Sequence, residues 1–523
     1  MNMKTSILTI FALAASVASA QTLTISGDTS ISESAAYNAI SITATSDATV
    51  SIADDAMLTI NAQVPMNNFT TKKITFEGGT FWQNNTSAYG SKYVTNSKSD
   101  LVFNLDYTYE VSSTAEKNYG PSDFLIGGGK ITFAKNFNYV NSISGSSAKL
   151  HFSIGYVSSG AGGTSTVILG TAQQSITDST PKYSLVAGGS TINNASTLII
   201  NNNYSFSSGA FVFADTASKV ENYGTFSNTG ADDIKGTFTN AGTATFTAAE
   251  VIVSGSYTNT GGSTTFGNAT TVSGTYTNSG GTTKFGTNAI LSGAYSNTGG
   301  TTIFTGGTWI ENGAKLVVGG DNSAVVGDNG STIVVKSGGT IELDGGKLSS
   351  GVSLNTGSTL SIKKASTTFW VNVADGATIE MWASSTYTYS LFGNTTVKVL
   401  ADNLTLLSMA WKESGSHEVD IVLNGHSFNL GDMKRGDGFT GEDLFIDFIL
   451  AENESWKDNS VKTTMSEAKL NEITFKINGV ITEFDFVATT GGFYLNTVVP
   501  EPAEWAMIFG AVALAFVAYR RRR

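Results

Sequence analysis

A tandem repeat of nineteen residues occupies the middle of the chain. Four consecutive units begin at Gly236, Gly255, Gly274 and Gly293. They read GTFTNAGTATFTAAEVIVS, GSYTNTGGSTTFGNATTVS, GTYTNSGGTTKFGTNAILS and GAYSNTGGTTIFTGGTWIE. A unit this short cannot bury its own apolar side chains, so successive copies must stack on one another. Propeller blades need about forty residues or more, and leucine-rich repeats show leucine ladders and helices, so both architectures fit poorly.

Three apolar positions recur in every unit and form ladders along the repeat. The first ladder comprises Phe238, Tyr257, Tyr276 and Tyr295. The second comprises Phe246, Phe266, Phe285 and Phe304, and the third comprises Val253, Val272, Leu291 and Ile310. Glycine and asparagine separate these positions, which is typical of short strands joined by tight turns. We therefore predict an all-β solenoid with three strands per coil, in which equivalent residues stack about 4.8 Å apart.

Two polar ladders accompany the apolar ones. Asn240, Asn259, Asn278 and Asn297 recur at the same place in each unit, and stacked amides of this kind bond along the stacking direction. Threonine pairs flank the first aromatic position, as in Thr237 and Thr239, and would face outwards. An outward threonine array resembles an ice-binding surface, although the fourth unit has alanine and serine in its place. Ice binding is kept as a minor alternative, because threonine is ordinary on strands.

The repeat becomes less regular on both sides. We place the solenoid at residues 221–400, with its clearest part at 236–311. Residues 21–220 contain strand-like stretches such as KITFEGGTFW but no constant period, which predicts an irregular β region. Residues 401–499 hold twenty-three charged residues, sixteen of them acidic, and differ in character from the repeats. There, Asn424-Gly425 and Asn478-Gly479 are two-residue hairpin signals, so we predict a small antiparallel β domain with one short helix at 466–470.

Composition limits the partners that the chain can bind. The net charge is −12, which argues against nucleic acid because phosphates require a basic surface. There is no cysteine, so disulfides cannot stabilise the fold and a large hydrogen-bonded apolar framework must do so. Polysaccharide, a calcium-bridged matrix or other surface proteins are the expected partners.

Few residues offer catalytic or metal-binding chemistry. The three histidines, His151, His417 and His426, are too scattered in sequence to predict a zinc site. Glu418 and Asp420 share one face of a predicted strand, and are either the paired acids of a polysaccharide-acting enzyme or an ordinary solvated face, which we favour. A further acidic segment contains Asp432, Asp437, Glu442 and Asp443. It would hold calcium or form a solvated turn, and we favour the turn because the EF-hand spacing is absent.

Both ends of the chain carry targeting features. Residues 1–20 combine a basic Lys4, an apolar run and small residues at Ala18 and Ala20, which predicts a secretory signal peptide cleaved before Gln21. The other end, residues 500–523, begins with Pro500, Glu501 and Pro502. An uncharged run from Trp505 to Tyr519 follows and predicts a short hydrophobic transmembrane helix. The chain ends with the basic cluster Arg520, Arg521, Arg522 and Arg523, which places this end in the cytoplasm.

The order of Pro-Glu-Pro, short apolar helix and arginine cluster resembles the PEP-CTERM protein-sorting signal of Gram-negative envelope proteins. The resemblance covers only 499–523. It implies that Pro500, Glu501 and Pro502 are recognised by an exosortase, a processing enzyme of the inner membrane, and that the protein reaches the cell envelope, the cell surface or the extracellular matrix. The glycine-rich coils resemble the β-helical passengers of autotransporters and other surface adhesins.

These features lead to two main functional hypotheses. We expect an exported structural or adhesive β-solenoid protein without enzymatic activity or cofactor, retained at the envelope and in at least transient contact with the inner membrane. The alternative is a β-helix lyase or hydrolase that acts on polysaccharide. Three or more acidic or basic groups that converge in a groove of the solenoid would favour the enzyme.

Overall fold

The computed structural model describes residues 21–521 apart from several short gaps and most of the C-terminal tail. The gaps are 63–65, 68, 86–90, 113–121, 144–146, 159–160, 172–180, 231, 321–324, 328–330, 366–369, 413–415, 436–443, 459, 499–511, 513, 515–516 and 518. The expected signal peptide with Ala18 and Ala20 therefore lies outside the described residues, as do Pro500, Glu501, Pro502, Arg522 and Arg523. The described residues form two compact units, 1–308 and 309–523.

The first unit consists of short strands. Its first eleven are β1 Thr22–Ile25, β2 Thr29–Ile31, β3 Ala35–Tyr37, β4 Ala39–Ile42, β5 Ala48–Asn61, β6 Met66–Asn67, β7 Lys73–Asn85, β8 Ser91–Thr95, β9 Asp100–Val111, β10 Ser122–Ile126 and β11 Gly129–Phe133. The next eleven are β12 Phe137–Asn141, β13 Leu150–Ile154, β14 Val157–Ser158, β15 Ala161–Gly162, β16 Ser165–Leu169, β17 Tyr183–Ala187, β18 Gly189–Ile192, β19 Thr197–Ile200, β20 Tyr204–Ser208, β21 Phe211–Phe213 and β22 Lys219–Asn222. The repeats supply β23 Thr225–Asn228, β24 Asp232–Asp233, β25 Thr237–Asn240, β26 Thr243–Phe246, β27 Glu250–Val253, β28 Ser256–Phe266, β29 Ala269–Val272, β30 Thr275–Phe285, β31 Ala289–Leu291, β32 Ala294–Asn297 and β33 Thr301–Phe304.

Strand β34, Thr308–Ile310, contains the division between the units, and the remaining elements follow it. They begin with β35 Lys315–Gly319, β36 Val325–Val326, β37 Thr332–Val335, β38 Thr340–Asp344, β39 Lys347–Leu348, β40 Gly351–Leu354, β41 Thr359–Lys364, β42 Val371–Ala374, β43 Ala377–Met381, β44 Ser385–Phe392 and β45 Thr395–Val399. They end with β46 Leu404–Trp411, β47 His417–Val422, β48 Phe428–Arg435, β49 Leu444–Ile449, β50 Val461–Thr463, α1 Glu467–Leu470, β51 Ile473–Ile477, β52 Val480–Ile481, β53 Phe484–Thr489 and β54 Gly492–Thr497.

The repeats stack in the predicted register. Tyr257 is paired with Tyr276, and Tyr276 with Tyr295, in parallel strands. Their rings are stacked, with centroids 4.9 and 4.8 Å apart and planes inclined by 4°. The second ladder also stacks, since the Phe266 and Phe285 centroids are 5.1 Å apart. Each coil buries the aromatic residue and leaves its threonine neighbours half-exposed, so the prediction of a β-solenoid with nineteen-residue coils is confirmed for this part of the chain.

The irregular β region is part of the same parallel arrangement. Strands β5, β7, β9, β11, β16, β19, β22 and β25 pair in parallel, one after another. No constant period is visible in the sequence because the coils differ in length: Lys130 is paired with Thr166, whereas Thr237 is paired with Ser256. Aromatic stacking continues here as well, since Phe76 and Phe103 have centroids 5.0 Å apart. The described residues of 21–220 therefore form solenoid coils with long excursions.

In the second unit, parallel pairing continues past residue 401, where we expected the small antiparallel domain to begin. Strands β43, β45, β47, β49 and β51 pair in parallel, and β42, β44, β46, β48 and β50 form a second parallel series. Asn424-Gly425 therefore does not close a hairpin: the turn joins β47 to β48, which belong to different series. Asn424 has a positive φ of 51°, so the dipeptide adopts the backbone that it favours but connects two faces of a coil.

Antiparallel pairing in the second unit occurs near its C-terminal end. Strands β51 and β52 form the hairpin predicted at Asn478-Gly479, and β54 pairs with both β50 and β53. The short helix expected at 466–470 is present as α1. The antiparallel portion is thus real but much smaller than the expected 401–499. Among the described residues, no helix is both long enough and apolar enough to cross a membrane.

Candidate functional site

Three carboxylates converge on the outward face of β47 and β49. Alternation along β47 turns Val419 and Ile421 inwards, so Glu418 and Asp420 point the other way. Parallel pairing places Asp447 of β49 beside Asp420. One oxygen from each carboxylate lies within 4.8 Å of one oxygen from each of the other two. We call Glu418, Asp420 and Asp447 the carboxylate cluster.

Lys476 of β51 supplies the nearby positive charge. Its Nζ lies 3.0 Å from Oε1 and 3.2 Å from Oε2 of Glu418, although β49 lies between their two strands. The lysine reaches that far by crossing the ring of Phe445, whose centroid is 4.4 Å from Nζ. Glu418 is therefore paired with an ammonium group, while Asp420 and Asp447 have no comparable partner among the described residues.

Asp447 is the most buried member of the carboxylate cluster, with 5% of its surface exposed. Its Oδ2 accepts a hydrogen bond of 2.7 Å from the backbone N–H of Gly479, in the turn between β51 and β52. Its Oδ1 is buried and accepts no hydrogen bond from any described residue. A buried carboxylate oxygen without a donor is energetically costly, so a proton or a cation is expected beside it.

The charge states of the two aspartates follow from this environment. Burial raises the pKa of Asp420, the charges of Glu418 and Asp447 raise it further, and Lys476 opposes them. Burial and the charge of Glu418 also raise the pKa of Asp447, and the backbone N–H groups of Gly479 and Asn478 and the charge of Lys476 oppose this rise. Raised carboxyl pKa values close together are typical of groups that share protons or bind cations.

Sequence reasoning identified Glu418 and Asp420 but missed Asp447 and Lys476, which belong to the next two coils. The signal was an alignment of three alternating strands, HEVDIV, LFIDFI and ITFKI, by their inward residues. That alignment puts Asp420, Asp447 and Lys476 in one outward column. Coils of irregular length hide this alignment in the sequence.

Of the acidic segment for which we weighed calcium against a solvated turn, the structure describes Asp432. Asp432 Oδ1 accepts a hydrogen bond of 2.6 Å from Lys469 Nζ, and its Oδ2 lies 3.6 Å from Lys434 Nζ. Two ammonium groups therefore already neutralise this carboxylate. Asp437, Glu442 and Asp443 lie outside the described residues.

At the tail, Arg520 and Arg521 have helical backbone and are exposed, and Gln21 at the other end is also exposed.

His151 lies on β13 and contacts two polar side chains. His151 Nδ1 lies 3.0 Å from Asp123 Oδ1, and its Nε2 lies 3.2 Å from Thr191 Oγ1. This order of carboxylate, imidazole and hydroxyl resembles a nucleophile–base pair with an orienting acid. The three residues sit on the parallel strands β10, β13 and β18, and the ring lies against Gly189, where an added Cβ would be 3.2 Å from Cδ2. We interpret the arrangement as a polar link between strands.

An open groove of about 540 Å³ lies on the first unit, and we call it the hydroxyl groove. Its lining comprises Phe137, Asn138, Tyr139, Ala148, Lys149, Leu150, Ser184, Val186, Ala187, Gly188, Ser207, Ser208, Gly209 and Thr229. Val186 is 65% exposed there, and Tyr139 is half-buried with its hydroxyl donating to Ala148 O at 3.3 Å. On one wall Gly209 packs directly against the backbone of Gly188, because a Cβ at Gly209 would lie 2.2 Å from Gly188 O. The described residues of the lining offer hydroxyl, amide, aromatic and aliphatic groups and the ammonium group of Lys149, but no carboxylate or imidazole.

A scan against protein-family models, a search of curated proteins and a search of solved structures found no match to this chain.

Proposed function

We propose that this chain is an exported, envelope- or matrix-associated adhesive β-solenoid protein that binds exopolysaccharide. The hydroxyl groove is the observation that carries the proposal. Sugars are bound by hydrogen bonds to hydroxyl and amide groups and by contact with aromatic and aliphatic side chains, and the groove presents both.

Export and retention are part of the same proposal. The small-residue site before Gln21 and the Pro-Glu-Pro tail with its arginines support secretion followed by sorting through an exosortase-type enzyme. A β-solenoid with a buried aromatic interior and no cysteine is stable without disulfides, which suits a compartment outside the inner membrane.

Sedimentation with purified exopolysaccharide tests the binding part. The full chain should co-sediment with the polysaccharide, and Tyr139→Ala or Val186→Asp should weaken binding about tenfold, since each removes an apolar contact from the groove. Val212→Asp is the matched control, because Val212 is 45% exposed on β21 and does not line the groove. Equal binding by all three variants would refute the groove as the binding site.

Cell fractionation with mass spectrometry tests the export part. We expect the surface fraction to contain a chain that begins at Gln21 and lacks Arg523. A chain that stays in the cytoplasm with residues 1–20 attached would contradict export, and an intact Arg523 at the surface would contradict removal of the tail.

A polysaccharide-acting enzyme remains the second candidate, because the carboxylate cluster favours it. Glycoside hydrolysis uses two carboxyl groups about 5 Å apart when configuration is retained, with a raised pKa on the acid. The cluster provides close carboxylates and raised pKa values at Asp420 and Asp447. Turnover of acidic glycans by the purified chain, lost in Asp420→Asn, would establish this activity; the adhesive proposal expects no turnover.

A further inference from the structure

The oxygens of the carboxylate cluster lie close enough together for one cation to contact all three groups. Calcium takes oxygen ligands at about 2.3–2.6 Å, so ligand atoms on opposite sides of the ion are roughly 4.8 Å apart and adjacent ones are closer. The three carboxylate oxygens, all within 4.8 Å of one another, meet this condition. Magnesium requires about 2.0–2.1 Å and near-octahedral order, which carboxylates held on rigid neighbouring strands satisfy less readily.

The local charge also matches a divalent cation. The cluster contributes three negative charges when fully ionised, and Lys476 contributes one positive charge at Glu418. The sum is −2, which one Ca²⁺ would neutralise. Lys476 Nζ is bonded to both oxygens of Glu418, so its charge acts on Asp420 and Asp447 only at longer range.

The buried oxygen of Asp447 is an independent sign of a missing ligand. Asp447 is 95% buried, and its Oδ1 receives no hydrogen bond from the described residues, while Oδ2 is fixed by Gly479. Unpaired buried polar atoms in native proteins usually mark a bound water, a proton or an ion. Here the carboxylate of Asp447 lies next to the carboxylates of Glu418 and Asp420, which points to a bound ion.

We propose that Glu418, Asp420 and Asp447 form a Ca²⁺ site on the outward face of β47 and β49. Three carboxylates supply the anionic ligands, and water completes the six to eight oxygens that calcium takes. The ion ties two successive coils together, and the site should bind with a Kd of about 0.1–1 mM, the range of extracellular calcium modules.

Calorimetric titration of the chelator-treated full chain with calcium chloride tests the site. We expect one Ca²⁺ per chain, with magnesium binding at least about tenfold weaker. Asp420→Asn and Asp447→Asn should each weaken calcium binding about tenfold or more, which corresponds to about 1.4 kcal/mol. Glu380→Gln is the control, because Glu380 faces outwards on β43 and pairs with Lys398 at 3.2 Å, away from the cluster.

Lys476→Met separates binding from folding. Removing the ammonium group leaves three uncompensated carboxylates, so this variant should bind calcium more tightly than the parent chain, whereas damage to the fold would weaken binding. Absence of calcium binding at 10 mM calcium, roughly ten times the upper expected Kd, would overturn the proposal, as would unchanged binding in the Asp420→Asn/Asp447→Asn double variant.

Discussion

The side-chain amide of Asn240 donates a hydrogen bond of 3.1 Å to Oδ1 of Asn259, the equivalent residue of the next coil, and both side chains are fully buried. The same bond links Asn222 to Asn240 and Asn259 to Asn278. The ladder therefore runs inside the solenoid beside the aromatic stack. It satisfies polar groups that the apolar interior would otherwise leave unpaired.

Replacing one asparagine of the ladder should destabilise the coils on both sides of it. Asn259→Leu removes a side chain whose amide also donates to Gly280 O at 3.1 Å, and it takes away the donor to Oδ1 of Asn278. Each buried unpaired group costs about 1–3 kcal/mol. Hydrogen exchange should accelerate in β25, β28 and β30. Thr258→Val, a change at the half-exposed neighbouring position, should leave exchange almost unaltered; equal protection in both variants would contradict a structural role for the ladder.

The stacked tyrosines should make the fold sensitive to alkali. Burial raises the pKa of Tyr257, Tyr276 and Tyr295 above the ordinary value of about 10, and hydrogen bonds to Thr264, Thr283 and Thr302 partly oppose this. The unfolded chain then loses its phenolic protons first. The contribution of these tyrosines to the free energy of unfolding is fully present below about pH 10. Above pH 10 it falls by at most about 1.4 kcal/mol per pH unit for each tyrosine.

Denaturation midpoints measured between about pH 9 and 12, the range around the ordinary tyrosine pKa, check this expectation. Tyr276→Phe should reduce the fall of the unfolding free energy with pH by the share of one tyrosine. At neutral pH it should lower the free energy of unfolding by about 1 kcal/mol, because the 2.8 Å hydrogen bond to Thr283 is lost. Phenolate absorbance of these residues that appears near pH 10 in the folded protein would disprove the prediction.

The turn glycines of the repeat should differ sharply in their tolerance of a methyl group. A Cβ at Gly274 would lie 2.1 Å from Gly255 O in the preceding coil, so Gly274→Ala must push the coils apart. We expect a loss of about 1–3 kcal/mol, as for other overpacked sites. A Cβ at Gly261 would meet nothing within 4 Å, which makes Gly261→Ala the matched control. Thermal unfolding of the two variants measures the difference, and equal melting temperatures would contradict the stacking described.

Without calcium, the carboxylate cluster should destabilise the fold at neutral pH. The folded-state pKa of Asp420 is raised above its unfolded value of about 3.9, so the folded chain holds the proton more tightly. Stability therefore falls as the pH rises from about 4 through the folded pKa. In chelator, Asp420→Asn should raise the melting temperature at pH 7, with a gain that shrinks towards pH 4. Glu380→Gln should not raise it, and a lower melting temperature in Asp420→Asn would refute the sign of the effect.

The success of sequence reasoning varied along the chain for physical reasons. Within 236–304 the coils have nearly constant length, so equivalent residues recur at one spacing and the buried ladders could be named correctly. In 401–449 the inward residues alternate equally well, but hairpin signals such as Asn424-Gly425 also occur at the corners of coils. Local turn chemistry is the same in both cases, and only the pairing of distant strands distinguishes them.

The sequence by itself determined the local structural elements of this protein: short strands of alternating polarity, glycine and asparagine turns, and aromatic residues that must stack to be buried. The tertiary structure alone decided which outward residues meet. Asp420, Asp447 and Lys476 become neighbours because parallel coils of unequal length bring them into one column. Side chains on successive coils are close in space yet far apart in sequence, so their mutual charge and their affinity for a cation exist only once the coils are stacked.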